Sequence, residues 1–415
     1  MKTYKFDVRW LLPVLLFSCI FIPRVPIGAV ASFYLVDLRP EDLLLPLLAL
    51  MVLPLTPTLS PFRGRGKGEG GYLFTEVPSV EKAFLLFLVA AEISIFSGLF
   101  FRTIDKPVLS FLYLVKWVEY FLVFVLTASL ARDAKSTDFF IRAFFLLGMA
   151  VAGYGYWEHF FPAAKAVYPN YYRLFERPPF HGDANHMGGL LVLWLGFFTG
   201  IFLKESDRRR SVLWLGALLF VFFPLLWTYS RKSYFALAGA FFLPFFFQGV
   251  RRRLLVLLSL FTLAGLLLPM RLADRILDLG EAFTSTDPLH SSWAGNWVMW
   301  KQALWNFDRF FLFGSGLGSR HRLFYESQFI LILAETGLAG LAAFTFLLLK
   351  MVRQALGGWR EGEKGIVLGW LLGFAALLIH NFSCVSWTVS KIAVPFWFLS
   401  AAVFAKASFH EPSRA

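Results

Sequence analysis

Apolar runs of about 18–24 residues recur along almost the whole of this 415-residue chain. A helix needs about 20 such residues to cross about 30 Å of hydrocarbon. No other feature narrows the possible folds so far. Composition agrees: 58% of the residues are hydrophobic and only 16% are charged, where soluble domains carry about a quarter charged. Fifty phenylalanines and fourteen tryptophans exceed what one soluble core needs. Soluble chains above about 250–300 residues split into domains, yet no polar linker divides this one. The expected class is all-α, a polytopic integral membrane protein forming a single membrane domain over 1–415.

Candidate spans are 10–30, 41–55, 83–101, 108–131, 138–161, 186–203, 211–229, 233–249, 254–270, 328–349, 365–384 and 388–405, which makes about twelve transmembrane helices. Pro13, Pro23 and Pro54 weaken the first two. With the N-terminus inside, the inner segments carry 22 Lys and Arg and the short outer loops 10, counting Arg24 and Lys391 at the adjoining span ends, with 6 more in a long outer loop. That bias follows the positive-inside rule and places both termini in the cytoplasm. Met1–Arg9 and the run behind it resemble a signal peptide, but no small-residue cleavage site follows, so a retained first helix is expected.

The net charge of +13 does not point to nucleic acid. Lys and Arg sit in short clusters between apolar runs, where they orient helices, and no basic stripe with interleaved aromatics occurs. Cys19 and Cys384 are the two cysteines, too few for a disulfide framework or a metal site.

Three connecting segments stand out. The inner loop 56–81 contains the run Arg63-Gly64-Arg65-Gly66-Lys67-Gly68-Glu69-Gly70-Gly71. Its low complexity marks a flexible cytoplasmic loop. It lacks the preceding strand and the Gly-Lys-Ser/Thr ending of a phosphate-binding loop. The outer-face loops 162–185 and 271–327 (the latter between spans nine and ten) are too long to be mere connectors. In the second, Trp293, Trp297, Trp300 and Trp305 recur at helical spacing, the pattern of an amphipathic interfacial helix.

Candidate chemistry gathers at these outer segments. Arg173, Arg177, Asn185 and His186 surround the start of the sixth span, where Asp183 or Asn185 can cap the helix. Free helix N–H groups and guanidinium forks both suit phosphate oxygens; the competing reading is a capped helix with interfacial arginines. His181, His186 and Asp183 lack a third strong ligand of suitable spacing, so no metal is expected. Trp227-Thr228-Tyr229-Ser230-Arg231-Lys232-Ser233-Tyr234 is a tight outer turn whose Arg231 and Lys232 lie on the side that positive-inside sorting disfavours. They are either an anion clamp or snorkelling charges. Phe313-Gly314-Ser315-Gly316-Leu317-Gly318 precedes Arg320 and Arg322, and its glycines permit close backbone approach. Glu326, at the mouth of the tenth span, is placed to act as a base, or is a plain interfacial carboxylate. Within the bilayer Lys116 and Glu119 share a helix face at i, i+3, which favours a structural ion pair over a transport path; Glu92 is a further intramembrane charge.

In order and spacing, the segments over about 168–345 resemble the O-antigen ligase and polymerase superfamily of bacterial envelope glycosyltransferases. The resemblance rests on the Pro- and Asn-bearing loop that enters a span, the Tyr229-Ser230-Arg231 turn, and the Trp300-to-Leu304 segment. It also includes Gly314-x-Gly316 and the helix with Glu335-Thr336-Gly337-Leu338-Ala339-Gly340. Arg231 matches the family's turn arginine. Ser327, Gly337 and Gly340 keep the frame of its histidine motif, with Glu326 in the histidine place, and Asn296 stands where an arginine precedes the loop tryptophan.

The resemblance implies a glycosyltransferase of the bacterial inner membrane that acts in cell-surface polysaccharide biosynthesis, with neither metal nor other cofactor. Its partners would be an undecaprenyl-diphosphate-linked glycan donor, a hydroxyl acceptor on a glycan or lipid-A core, and the bilayer. Arg231 and Glu326 would be catalytic. Arg173, Arg177, Asn185, His186, Lys232, Arg320 and Arg322 would bind diphosphate or substrate. The alternatives are a lipid-linked glycan transporter or flippase, which would need two symmetric halves and a charged midplane path, and a non-catalytic member.

Deletion of residues 58–70 is expected to leave membrane yield and transfer activity near wild type, since that loop's composition specifies no packed structure. Membrane fractionation and a transfer assay check this; lost activity at normal yield would contradict it.

Overall fold

The structure is a computed structural model that describes residues 7–22, 25–31, 34–52, 78–161, 173–175, 184–247, 249–266, 292–307, 309–319, 326–360 and 363–408. The architecture is helical. In chain order the helices are α1 (Leu11–Phe21), α2 (Pro40–Val52), α3 (Pro78–Phe100), α4 (Pro107–Leu130), α5 (Ala134–Phe160), α6 (Ala184–Lys204) and α7 (Arg208–Trp227). They continue as α8 (Arg231–Ala240), α9 (Arg251–Leu266), α10 (Ser292–Phe307), α11 (Gln328–Arg360), α12 (Lys364–His380) and α13 (Ser390–Ser408). One short antiparallel ribbon, β1 (Val25–Ala31) with β2 (Tyr34–Leu38), joins α1 to α2.

The chain is a multi-pass membrane protein. Among the described residues seven helices are long and apolar enough to cross a bilayer: α3, α4, α5, α6, α7, α11 and α13. Every one of the twelve apolar segments contains a helix, but among the described residues five of these helices fall short of that length. The first expected span, 10–30, is interrupted: α1 stops at Phe21, and the chain is extended from Val25. Pro23 and Pro26 remove two amide donors there, which suits strand ends and not a continuing helix. The eighth, 233–249, is the ten-residue α8 followed by a 3-10 turn, Leu243–Phe246, that contains Pro244. Ten residues of helix reach about 15 Å, half the hydrocarbon thickness. The loop segments 56–77, 162–172 and 176–183, and with them Arg177, lie outside the described residues, as do 267–291, Arg320 and Arg322.

Two helices form the centre: α6 and α13 are buried over 89% and 94% of their apolar stretch, against 39–50% for the other five. The outer helices turn apolar stripes outward. On α3, Leu85, Leu86, Val89, Ile93 and Phe96 recur at helical spacing and are all exposed, a face that lipid covers.

The closest helix pairing is α6 with α12. Each carries a small-xxx-small motif, Gly196 with Gly200 and Gly369 with Gly373. A Cβ added at Gly196 or Gly200 would overlap the backbone nitrogen of Gly373 or Gly369, and one at Gly373 would stand 2.9 Å from the Leu193 carbonyl oxygen. Where lipid tails are as apolar as leucine, association rests on such backbone contact. Two turns further, Gly189 faces His380. The steps from Gly189 to Gly196 to Gly200 match those from His380 to Gly373 to Gly369, so the two helices run antiparallel in one register along a single face.

The Lys116–Glu119 ion pair expected within α4 is present at 2.9 Å, and Asp42 of α2 joins it. Nearby Arg39 donates to the Ser390 hydroxyl at 2.7 Å, and the Tyr120 hydroxyl donates to the Thr388 carbonyl at 3.1 Å. Ion pairs thus join α2 to α4, and hydrogen bonds to Ser390 and Thr388 join both to the start of α13.

Gly200→Ala is expected to lower stability in detergent by about 1–3 kcal/mol or more, because the methyl must displace backbone. Gly216→Ala on α7, where nothing lies within 4 Å, should be neutral or stabilising by up to about 1 kcal/mol. Thermal denaturation of the two variants checks the contrast.

Candidate functional site

Three of the sequence constellations converge around the start of α8. The turn from α7 into α8 is tight: Thr228 returns its hydroxyl to the Leu225 carbonyl, and Tyr229 adopts φ 51. A left-handed backbone at a bulky tyrosine is costly and persists where the surroundings hold it. Ser230 then caps α8, its side chain accepting from the Ser233 amide. Arg231 and Lys232 therefore occupy the first turn of α8, both half-buried.

Arg173, buried, holds this turn from one side. Its Nε donates to the Thr228 carbonyl at 3.0 Å, and an Nη donates to the Asn185 side-chain oxygen, also at 3.0 Å. The same oxygen accepts from the Ser230 hydroxyl at 3.0 Å. Asn185 is thus within the first turn of α6, not at its cap, and its amide binds two neighbours; half-buried His186 follows it. Phe175 donates its amide to the buried Glu158 carboxylate at 2.8 Å, anchoring the arginine's own segment to α5.

From the other side, the Lys232 ammonium forms an ion pair with Glu326, whose side chain is 35% exposed against 17% for the lysine. The pair joins α8 to the residue two before α11. That point is fixed from beneath, because the Gln328 amide bonds the Asn381 and Cys384 carbonyls at 2.9 and 3.0 Å. So Arg173, Asn185, Arg231, Lys232 and Glu326, spread over more than 150 positions of sequence, share one neighbourhood.

The glycine run makes the close backbone approach that its composition allows, and the backbone it meets is that of α11. Gly337 breaks α11 with φ 66 and ψ −165. The orphaned groups on both sides of the break bond the run: Ser315 and Gly316 donate to the Ala334 and Glu335 carbonyls at 2.9 Å, while Leu338 and Ala339 donate to the Phe311 and Leu312 carbonyls at 3.0 Å. A Cβ on Gly314 or Gly337 would overlap the facing backbone. With the Leu317 amide given to the Ser94 hydroxyl at 3.0 Å, the amides of Ser315, Gly316 and Leu317 are engaged within the protein. The run patches a broken helix, satisfying backbone that lipid could not.

α10, with Trp297, Trp300 and a buried Asn296, falls inside the long outer loop of the sequence reading. Its Ala303 packs with Leu331 of α11 and Val385, so this helix borders the start of α11 two residues beyond Glu326.

Sequence reasoning missed His380. It is fully buried at the end of α12, with Nε2 3.2 Å from the Ser233 hydroxyl and Nδ1 2.8 Å from the Ser386 hydroxyl. The signal available was a lone histidine closing an otherwise apolar span. Chemically, the site offers two cations on one helix turn, a guanidinium behind them and a carboxylate already in reach. That set can hold an anion and can accept a proton. No family model matches this chain, and no curated protein sequence matches it either.

Proposed function

We propose that this protein is a membrane glycosyltransferase that moves a glycan from a polyprenyl diphosphate carrier to an acceptor hydroxyl at the outer membrane face. In the bacterial setting that the motif order implies, the carrier is undecaprenyl diphosphate. One observation carries the reading: the Lys232–Glu326 ion pair, which brings the cation-bearing turn and the carboxylate candidate together from distant parts of the chain. A diphosphate leaving group needs cations, and an attacking hydroxyl needs a base.

The residues divide those tasks. The acceptor oxygen attacks the anomeric carbon and the carbon–oxygen bond to the diphosphate breaks. The hydroxyl proton passes to Glu326, and the diphosphate departs with its charge met by Arg231 and Lys232. In the resting arrangement Lys232 already neutralises Glu326; arrival of a more highly charged diphosphate gives the ammonium a stronger partner and releases the carboxylate to act. Arg173 stands behind the turn on Thr228 and Asn185 and supports it. Each charge-assisted bond to phosphate contributes about 1.5–3 kcal/mol, and a positioned base about 10²- to 10⁴-fold in rate.

A transporter of lipid-linked glycans is the second reading, favoured by the charges of Arg39, Asp42, Lys116 and Glu119 among α2, α4 and α13. Arg39 and Lys116 face three carboxylates there, Glu41 at 3.7 Å from Arg39 beside Asp42 and Glu119, and each cation is paired in place, which suits a structural network better than an ion path.

Purified protein in lipid, supplied with an undecaprenyl-diphosphate-linked oligosaccharide and a glycan or lipid-A-core acceptor, tests the proposal by product analysis. Arg231→Ala is expected to abolish transfer with membrane insertion intact; normal transfer would remove it as the clamp. Glu326→Gln, which keeps the shape without the basicity, is expected to cut the rate by about 10²- to 10⁴-fold, and an unchanged rate would retire it as the base.

A further inference from the structure

The buried chain behind the α8 turn has a direction that hydrogen-bond counting determines. Arginine has no acceptor, so the Asn185 atom facing Arg173 is its carbonyl oxygen, as found. The Ser230 hydroxyl, 3.0 Å from that same oxygen, must donate to it. Its one proton is then used, and the Ser233 hydroxyl at 2.8 Å must donate to Ser230. Ser233 in turn can only accept from His380, so Nε2 carries the proton. In the neutral ring Nδ1 is left to accept from Ser386 at 2.8 Å. The sequence of donors is Ser386 to His380 to Ser233 to Ser230 to Asn185, where Arg173 meets it from the far side. Aligned bonds of this kind polarise one another in a low-dielectric interior.

Space has been kept for the chain. A Cβ on Gly188 would overlap the Ser233 hydroxyl, and one on Gly189 would stand 2.9 Å from the His380 ring. Ser230, Ser233, His380 and Ser386 are all fully buried. The chain ends on an amide carbonyl, which passes no proton onward, so it cannot serve as a relay between the interior and Glu326. What it can do is hold Ser230 and Ser233, the residues that flank Arg231 and Lys232 on the first turn of α8.

We propose that His380 is a positioning residue of the candidate site, its Nε2–H orienting the Ser230–Ser233 turn so that Lys232 meets Glu326 and Arg231 is presented beside it. This rests on the reading of the α8 turn as an anion clamp only for its functional consequence; the positioning itself is independent of it. Ser386, as the donor to Nδ1, holds the ring's tautomer.

Two variants separate donor chemistry from bulk: His380→Gln keeps an amide donor near the Nε2 position, while His380→Met keeps volume without one. Ser233→Ala removes the next link and serves if the methionine variant misfolds. The first readout is labelling of Lys232 by an amine-reactive reagent in the purified full-length protein, followed by peptide mass spectrometry. The second is affinity for inorganic pyrophosphate. His380→Met and Ser233→Ala are expected to raise the Lys232 labelling rate about tenfold, the scale of one buried hydrogen bond, and to weaken pyrophosphate binding similarly. His380→Gln should stay within about twofold of wild type in both. The double variant His380→Met/Ser233→Ala should be no worse than either single one, since both break the same chain. Unchanged labelling in His380→Met and Ser233→Ala, or equal effects of Gln and Met, would overturn the positioning role. If labelling rises as expected but wild type binds no pyrophosphate, the positioning role stands and the anion-clamp reading falls.

Discussion

Everything at the candidate site depends on how closely α6 and α12 approach. Four glycines, Gly196 and Gly200 on one helix and Gly369 and Gly373 on the other, allow backbone to touch backbone. Within a bilayer the hydrophobic effect offers no preference for one apolar helix over another, so contact of this kind is what selects a partner and a register. Once that register is set, Gly189 must face His380, and the end of α12 is brought beneath the start of α8. A side chain at any of these glycines would separate the helices and with them the buried hydroxyl chain.

The structure solves the same problem twice, that of polar groups in a medium without water. At the α8 turn, side chains do it, through the run from Ser386 to Asn185. At the break in α11, backbone does it, with the stretch 311–316 supplying partners for the groups that Gly337 leaves unpaired. Both devices sit where the chain departs from regular helix, and unpaired groups there would each cost several kcal/mol in hydrocarbon. One stands beside Lys232, while the other fixes the course of α11 further along from Glu326. Rigid surroundings of this sort are what a charge pair needs if its geometry is to matter for binding.

The charged residues show how far a single sequence carries. Lys116 and Glu119 are three apart on one apolar helix, so their pairing follows from helical geometry alone; that Asp42 joins them from α2 does not. Arg231 and Lys232 announce themselves as cations on the disfavoured side of a turn, and Glu326 as a carboxylate at a helix mouth. Their meeting required the fold. His380 gave little local warning, because a histidine that ends an apolar run reads as an interfacial residue until its partners on α8 and beyond α12 are known. The glycine run was legible in part: its composition allows the close backbone approach that is found, and only the fold reveals that the backbone approached is the Gly337 break in α11.

The sequence by itself determined that this chain lives in a membrane and is helical, since apolar runs with charges confined between them leave no other stable arrangement for the backbone. It did not determine where helices stop: the expected spans run through Pro23 and Pro244, and Pro46, Pro224 and Pro395 lie inside helices that continue past them. The structure decided which of the twelve apolar segments form, among the described residues, helices long enough to cross a bilayer. It also decided which glycines are contacts and which residues share the site. The physical reason is the range of the interactions. Hydropathy, capping and proline act within a turn or two of helix. Close helix packing, ion pairing and buried hydrogen bonding join residues such as Lys232 and Glu326, or Ser233 and His380, that nothing local in the chain relates.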